Sequence, residues 1–194
     1  MIQSTPTFES PTAATHKTPD FVLKTRDDIR DSLQASSSHH RNNLLKECVK
    51  AAAKNSDFER YITAPKPGAY DRAIIYTDPA FYFSLMMLTW APGAKTPIHG
   101  HNSYGFVGIC SGKIAVECFE RVNLGDSQFS IVPNYSCISN AGDVADAHSG
   151  AEGIHRLSNP TTRQAVSLHL YRMDLSEDPA AINDVYEERR LSSL

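Results

Sequence analysis

The sequence predicts a mainly β protein, a closed β-barrel or jelly roll preceded by a helical N-terminal third. Three observations predict it. After Tyr70 the chain offers short runs rich in Val, Ile, Phe and Tyr, separated by Pro, Gly, Asn and Asp. Many short strands with frequent turn signals remove their edges most readily by closing on themselves. Apolar residues at spacings of three and four are confined to the stretch before about Tyr61, which places the helices there. No repeat of solenoid length is present, and 194 residues fit one domain with its own core.

In chain order, residues 1 to about 20 carry several Pro and Thr without hydrophobic periodicity and read as a loose tail. A short helix is possible from Phe21 to about Ser38, and the run Ser36 to His40 breaks it. The domain plan therefore counts 1–40 as a flexible segment and 41–194 as one domain, with helices at 41–62 and the barrel at about 70–172. Arg41 to about Tyr61 reads as helix, because Leu44, Leu45, Cys48, Val49 and Ala52 recur at helical spacing. His39 and His40 fall on its solvated start. Pro65, Pro67 and Gly68 make a loop. The strand candidates are Ala73–Thr77, Phe81–Trp90, Tyr104–Cys110, Lys113–Arg121, Phe129–Val132 and Val166–Tyr171.

Composition narrows the function. Hydrophobic residues make up 41% and charged residues 21%, with a net charge of −3. Neither nucleic acid nor an anionic membrane surface is an expected partner. The longest apolar stretch, Phe81 to Trp90, is too short to span a bilayer. The N-terminus lacks the basic start and apolar run of a secretory signal, and it contains Glu9 and little Arg, against a transit peptide. The expectation is a cytoplasmic monomer. Cys48, Cys110, Cys118 and Cys137 include no C-x-x-C pair and read as small buried hydrophobes in a reduced compartment.

The chemistry starts at Pro97-Ile98-His99-Gly100-His101. On a strand, residues i and i+2 point to one face, so His99 and His101 can reach one ion. An H-x-H pair is a weak signal alone, and two surface histidines beside a turn would give it too. Its setting strengthens it. Trp90 to Pro97 forms a turn that delivers the pair onto a new strand, and Val107 to Gly112 is a strand ending in a tight turn. A third histidine, His155, follows a small-residue turn in Gly153 to Asn159. His148, seven residues earlier, is its rival but lacks that Gly-x-His-x-x-x-Asn setting. The order of these motifs resembles the ligand layout of the cupin barrel. Most cupins add a Glu four or five residues after the pair, where this chain has Gly105 and Phe106. Three neutral imidazoles leave the full 2+ charge on an ion, which favours an anionic thiolate. The ligand set alone suits Fe, Cu, Ni and Zn alike.

Ser167-Leu168-His169-Leu170-Tyr171 alternates strictly, so Ser167, His169 and Tyr171 share one face. An ordinary strand with its polar face in water would look the same. In a barrel whose lumen holds a metal, that face could line the site as a hydrogen-bonded chain.

Taken together, Tyr70-Asp71-Arg72, Leu88-Thr89-Trp90, Pro97 to His101, Gly153 to Asn159 and Ala165 to Tyr171 resemble cysteine dioxygenase, a thiol dioxygenase family of the cupin superfamily. The likeness covers about Tyr70 to Arg172. It implies a jelly-roll cupin with Fe(II) on His99, His101 and His155. It also implies a small thiol and O2 as partners, and conversion of L-cysteine to cysteine sulfinic acid with both oxygen atoms ending on sulfur. Arg72, with Tyr70 beside it, looks like the residue that pairs with the substrate carboxylate. Tyr171 looks like the phenol near substrate and O2, held by His169 and Ser167, and Trp90 like a residue packed near the site. One departure stands out. Vertebrate members carry a Cys cross-linked to the active-site Tyr, and that position here is Gly105, the pattern of many bacterial members. Trp90 to Gly112 looks at least as much like 3-mercaptopropionate dioxygenase. That branch usually has Gln at the place of Arg72 and takes an Arg from beyond the strand of Tyr171, whereas residues 173–186 contain none. A cupin that binds a metal without catalysis is the remaining alternative.

Overall fold

The computed structural model describes residues 17–125, 128–177 and 183–186. Two helices, α1 (Asp20–Leu33) and α2 (Ser38–Lys54), lead through a 3₁₀ turn at Ser56–Tyr61 to the strands. These are β1 (Tyr70–Asp78), β2 (Phe83–Trp90), β3 (Ile98–His101), β4 (Gly105–Ser111), β5 (Lys113–Gly125), β6 (Gln128–Asn140), β7 (Val144–Ala147), β8 (His155–Ser158), β9 (Ala165–Tyr171) and β10 (Asn183–Tyr186). They form two antiparallel sheets in the orders β1-β2-β9-β4-β7 and β10-β3-β8-β5-β6. The fold is the mainly β cupin jelly roll that the sequence implied.

The central strands β2 and β9 are buried along their whole length, and their two faces have different coverings. Phe83, Leu85, Met87, Val166, Leu168 and Leu170 pack outward against Val22, Ile29, Leu45, Val49 and Phe58 of the helical region. Met86, Leu88, Trp90 and Tyr171 point inward, with Ile109, Ile114 and Leu157. Covering an apolar sheet face with helices is what makes a strand hydrophobic on one side and functional on the other. The Ser37 hydroxyl caps α2 by accepting from the His40 N–H. Gly108 lets α2 approach the sheet, since a Cβ there would lie 2.9 Å from Val49 Cγ1.

Several boundaries differ from expectation. The helix expected from Phe21 is α1, which ends at Leu33 rather than near Ser38 and lies within the segment 1–40 expected to be flexible, and α2 begins at Ser38 rather than Arg41. Residues 1–16 of the expected flexible segment lie outside the described residues. Phe81 and Tyr82 belong to a turn rather than a strand; Tyr82 has φ 56° and the Asp78 carboxylate accepts the Phe81 N–H. β3, β7 and β8 are four-residue strands containing His, Gly, Asp or Arg, too short and polar to stand out by propensity. β10 lies beyond the expected end of the barrel near 172. Among the described residues, no helix is long and apolar enough to cross a membrane.

Candidate metal centre

β3 and β8 run antiparallel, with His99 directly opposite His155. Residues opposite each other in a ladder share a face, and His101 shares the face of His99 by the two-residue period of a strand. One donor nitrogen from each of the three lies within 4.8 Å of the others. The ring centroids stand 4.6–5.1 Å apart. The sequence-based candidates His99, His101 and His155 are thus brought together. His148 is not among them: it is exposed and its ring packs on Tyr104.

The protein sets two of the tautomers. His99 Nδ1 lies 3.1 Å from the Pro97 carbonyl and His155 Nδ1 lies 2.8 Å from the Gly153 carbonyl. A carbonyl only accepts, so in each ring Nδ1–H donates and the Nε2 lone pair is left for a ligand. His101 Nδ1 is buried without a hydrogen-bond partner among the described residues. Burial lowers His99 to about 3, His101 to about 2 and His155 to about 4, with mutual repulsion adding to the effect at His99 and His101. Three neutral imidazoles, two buried and one half-buried, converging with no carboxylate among them fit a divalent transition metal.

The face of β9 beside them is not in water. Ser167, His169 and Tyr171 are all buried. Ser167 Oγ lies 2.8 Å from His169 Nε2, and His169 Nδ1 lies 3.1 Å from the Tyr171 hydroxyl. That hydroxyl is 3.5 Å from His101 Nε2. Burial lowers His169 to about 3 and raises the Tyr171 phenol, which stays protonated. Tyr70 stacks on Trp90 with centroids 4.8 Å apart, and its hydroxyl accepts from the Arg72 guanidinium at 3.3 Å. Arg72, His99, His169, Tyr171 and Trp90 line one cavity. Among the described residues no carboxylate forms an ion pair with Arg72.

The cavity also contains residues that sequence reasoning missed. Met86 and Leu88 stand opposite His169 and Ser167 across β2 and β9. Leu157 follows His155 on the same strand face and could have been found by alternation. Asn183 is held by β10 opposite His101; nothing near it in the sequence announces a site.

Gly105 sits opposite Tyr171 across β4 and β9. A Cβ there would lie 2.4 Å from the Leu170 carbonyl oxygen and 2.6 Å from Tyr171 Cδ1. Gly105→Ala should therefore destabilise the fold by about 1–3 kcal/mol through overpacking. Urea unfolding of the two proteins measures this, and equal midpoints would show that the Tyr171 ring is loosely held.

A second prediction concerns acid. His99, His101, His155 and His169 are neutral when folded, whereas the unfolded chain protonates them near 6.5. Below that value the unfolded state binds more protons, so stability should fall as pH drops from 7 to 5. Urea midpoints across that range test it; a flat profile would contradict burial of these rings.

The chain matches the family model described as cysteine dioxygenase type I over residues 33–180. Among solved structures it is similar to an uncharacterized conserved protein with a double-stranded β-helix domain from Klebsiella pneumoniae. The identity is 16% and the TM-score 0.46, covering 67% of this chain and 94% of that one. It is also similar to a Cupin 2 conserved barrel domain protein from Salinispora arenicola (18% identity, TM-score 0.41, 56% of this chain and 80% of that one). A third similar structure is a recombinant oxalate oxidase in complex with glycolate (18%, 0.43, 58% and 55%). The family match spans well over half of the sequence and includes every residue placed around the three histidines except Asn183, and on it the chain belongs to the cysteine dioxygenase type I family.

Proposed function

We propose that the protein is a thiol dioxygenase that converts L-cysteine and O2 to cysteine sulfinic acid at Fe(II) held by His99, His101 and His155. The observation that supports a carboxylate-bearing thiol as substrate is Arg72, a guanidinium lining the cavity with His99 and Tyr171 and lacking a carboxylate partner among the described residues. A substrate carboxylate supplies that partner through a charge-assisted, bidentate pair. Tyr70 orients the guanidinium, by hydrogen bond and by its ring 5.4 Å from the Arg72 carbon.

Iron, when bound, supplies the redox chemistry that joins O2 to sulfur. The protein's own contributions are position and charge. Three neutral ligands leave the ion's charge to attract a thiolate. Met86, Leu88 and Leu157 wall the cavity with apolar surface that limits water. Tyr171, held by His169, offers a protonated hydroxyl to the bound substrate. The test is product analysis: cysteine supplied with isotopically labelled O2 should return as a sulfinate carrying both labelled oxygen atoms. Cystine as the sole product would overturn the reading.

Tyr171→Phe should keep fold and iron, because the ring packs identically, but lower kcat/KM. General acid–base contributions run to about 10²–10⁴-fold, and the low end is expected because the iron carries most of the chemistry. His169→Ala should act in the same direction, and the double variant should be little worse than either alone. Steady-state O2 uptake on iron-matched samples measures both. If Tyr171→Phe equals the parent, the polar face of β9 is only structural.

A further inference from the structure

Trp90 ends the chain of hydrogen bonds that begins at Tyr171. Its indole N–H donates to Ser167 Oγ at 2.9 Å, and both residues are fully buried. An indole nitrogen can only donate, so Ser167 must accept there. Ser167 Oγ has one other contact among the described residues, His169 Nε2 at 2.8 Å. If that nitrogen carried the proton, Ser167 would accept twice. Its own hydroxyl proton would then be buried with no acceptor, a costly arrangement. Ser167 O–H therefore donates to His169 Nε2. A neutral imidazole carries its single proton on the other nitrogen, so His169 Nδ1–H donates to the Tyr171 oxygen 3.1 Å away. The Tyr171 proton is then not spent on His169 and is free to point into the cavity beside His101.

We infer that Trp90 is a positioning residue that fixes the direction of the whole Trp90–Ser167–His169–Tyr171 chain, making Tyr171 a hydrogen-bond donor to whatever anion binds in the cavity. The consequence for turnover rests on the thiol dioxygenase reading; the direction itself does not.

The test uses protein loaded with zinc in place of iron, so that resonances near the site remain sharp. Nitrogen-15 NMR of His169 should show Nδ1 as the protonated, pyrrole-type nitrogen and Nε2 as the pyridine-type one. Trp90 is the only tryptophan in the chain, so one indole N–H signal reports its bond, and Ser167→Ala should move that signal. In Trp90→Phe the aromatic packing largely survives but the donor is gone, and the two His169 tautomers should mix. On iron-loaded protein the same substitution should lower kcat with cysteine about three- to tenfold, the size of one neutral hydrogen bond, with KM little changed. Adding Trp90→Phe to Ser167→Ala should give no further loss. A parent protein with His169 protonated at Nε2 overturns the inference, even if Trp90→Phe fails to fold. So does a Trp90→Phe protein with unchanged tautomer and kcat. Absence of thiol turnover in every sample, with the tautomer as inferred, would instead refute the thiol dioxygenase reading and leave the direction of the chain standing.

Discussion

His155→Ala should lose most of its iron and all measurable thiol oxidation, while His148→Ala keeps both. The parent should hold about one iron per chain, since three convergent ligands define one site. Removing one of three neutral imidazoles from a buried cluster leaves two ligands, too few to compete with water and buffer for the ion. His99→Ala and His101→Ala should behave as His155→Ala does. His148 is exposed against Tyr104, whose hydroxyl donates to Asp146, so its loss touches no ligand. Metal analysis after gel filtration, with activity measured on the same samples, gives the answer. Full iron in His155→Ala together with loss in His148→Ala would show that the third ligand is misassigned.

Arg72→Ala carries the second large effect. Loss of a charged hydrogen bond costs about 1.5–3 kcal/mol, which corresponds to a drop of roughly 10- to 150-fold in kcat/KM for cysteine. Cysteamine lacks the carboxylate, so the parent should use it far less well than cysteine. The substitution should therefore narrow the gap between the two thiols by weakening cysteine use. Iron content should be unchanged, since Arg72 touches no ligand donor. If the parent turns over cysteamine as well as cysteine, Arg72 does not read a carboxylate.

The parts of the site that depend on local spacing were legible in the sequence. His99 and His101 lie two residues apart on one strand. Ser167, His169 and Tyr171 alternate with Leu168 and Leu170, and the structure puts the leucines under the helices and the polar residues beside the three histidines. Sequence alone could not say that the polar face was buried, because a solvent-facing strand alternates identically. The parts that depend on pairing between distant strands were not legible. The indole of Trp90 reaches Ser167 only because β2 lies against β9, 77 residues later. Met86 and Leu88 enter the cavity by the same pairing. Asn183 arrives on a four-residue strand that pairs with β3 and carries no motif. The family resemblance makes Gly105 the place of a missing cross-link partner; its position opposite Tyr171 accounts for glycine by close approach of backbone and ring.

The most direct measurement of the proposed activity is O2 uptake by the iron-loaded protein with cysteine, 3-mercaptopropionate, cysteamine or no thiol. Cysteine should drive rapid uptake with one O2 consumed per sulfinate formed, cysteamine should be poor for want of a carboxylate, and the protein without thiol should consume none. Faster uptake with 3-mercaptopropionate than with cysteine would move the substrate to that thiol and leave the dioxygenase reading intact; uptake no faster than free iron gives with any of the three thiols would contradict thiol dioxygenation itself.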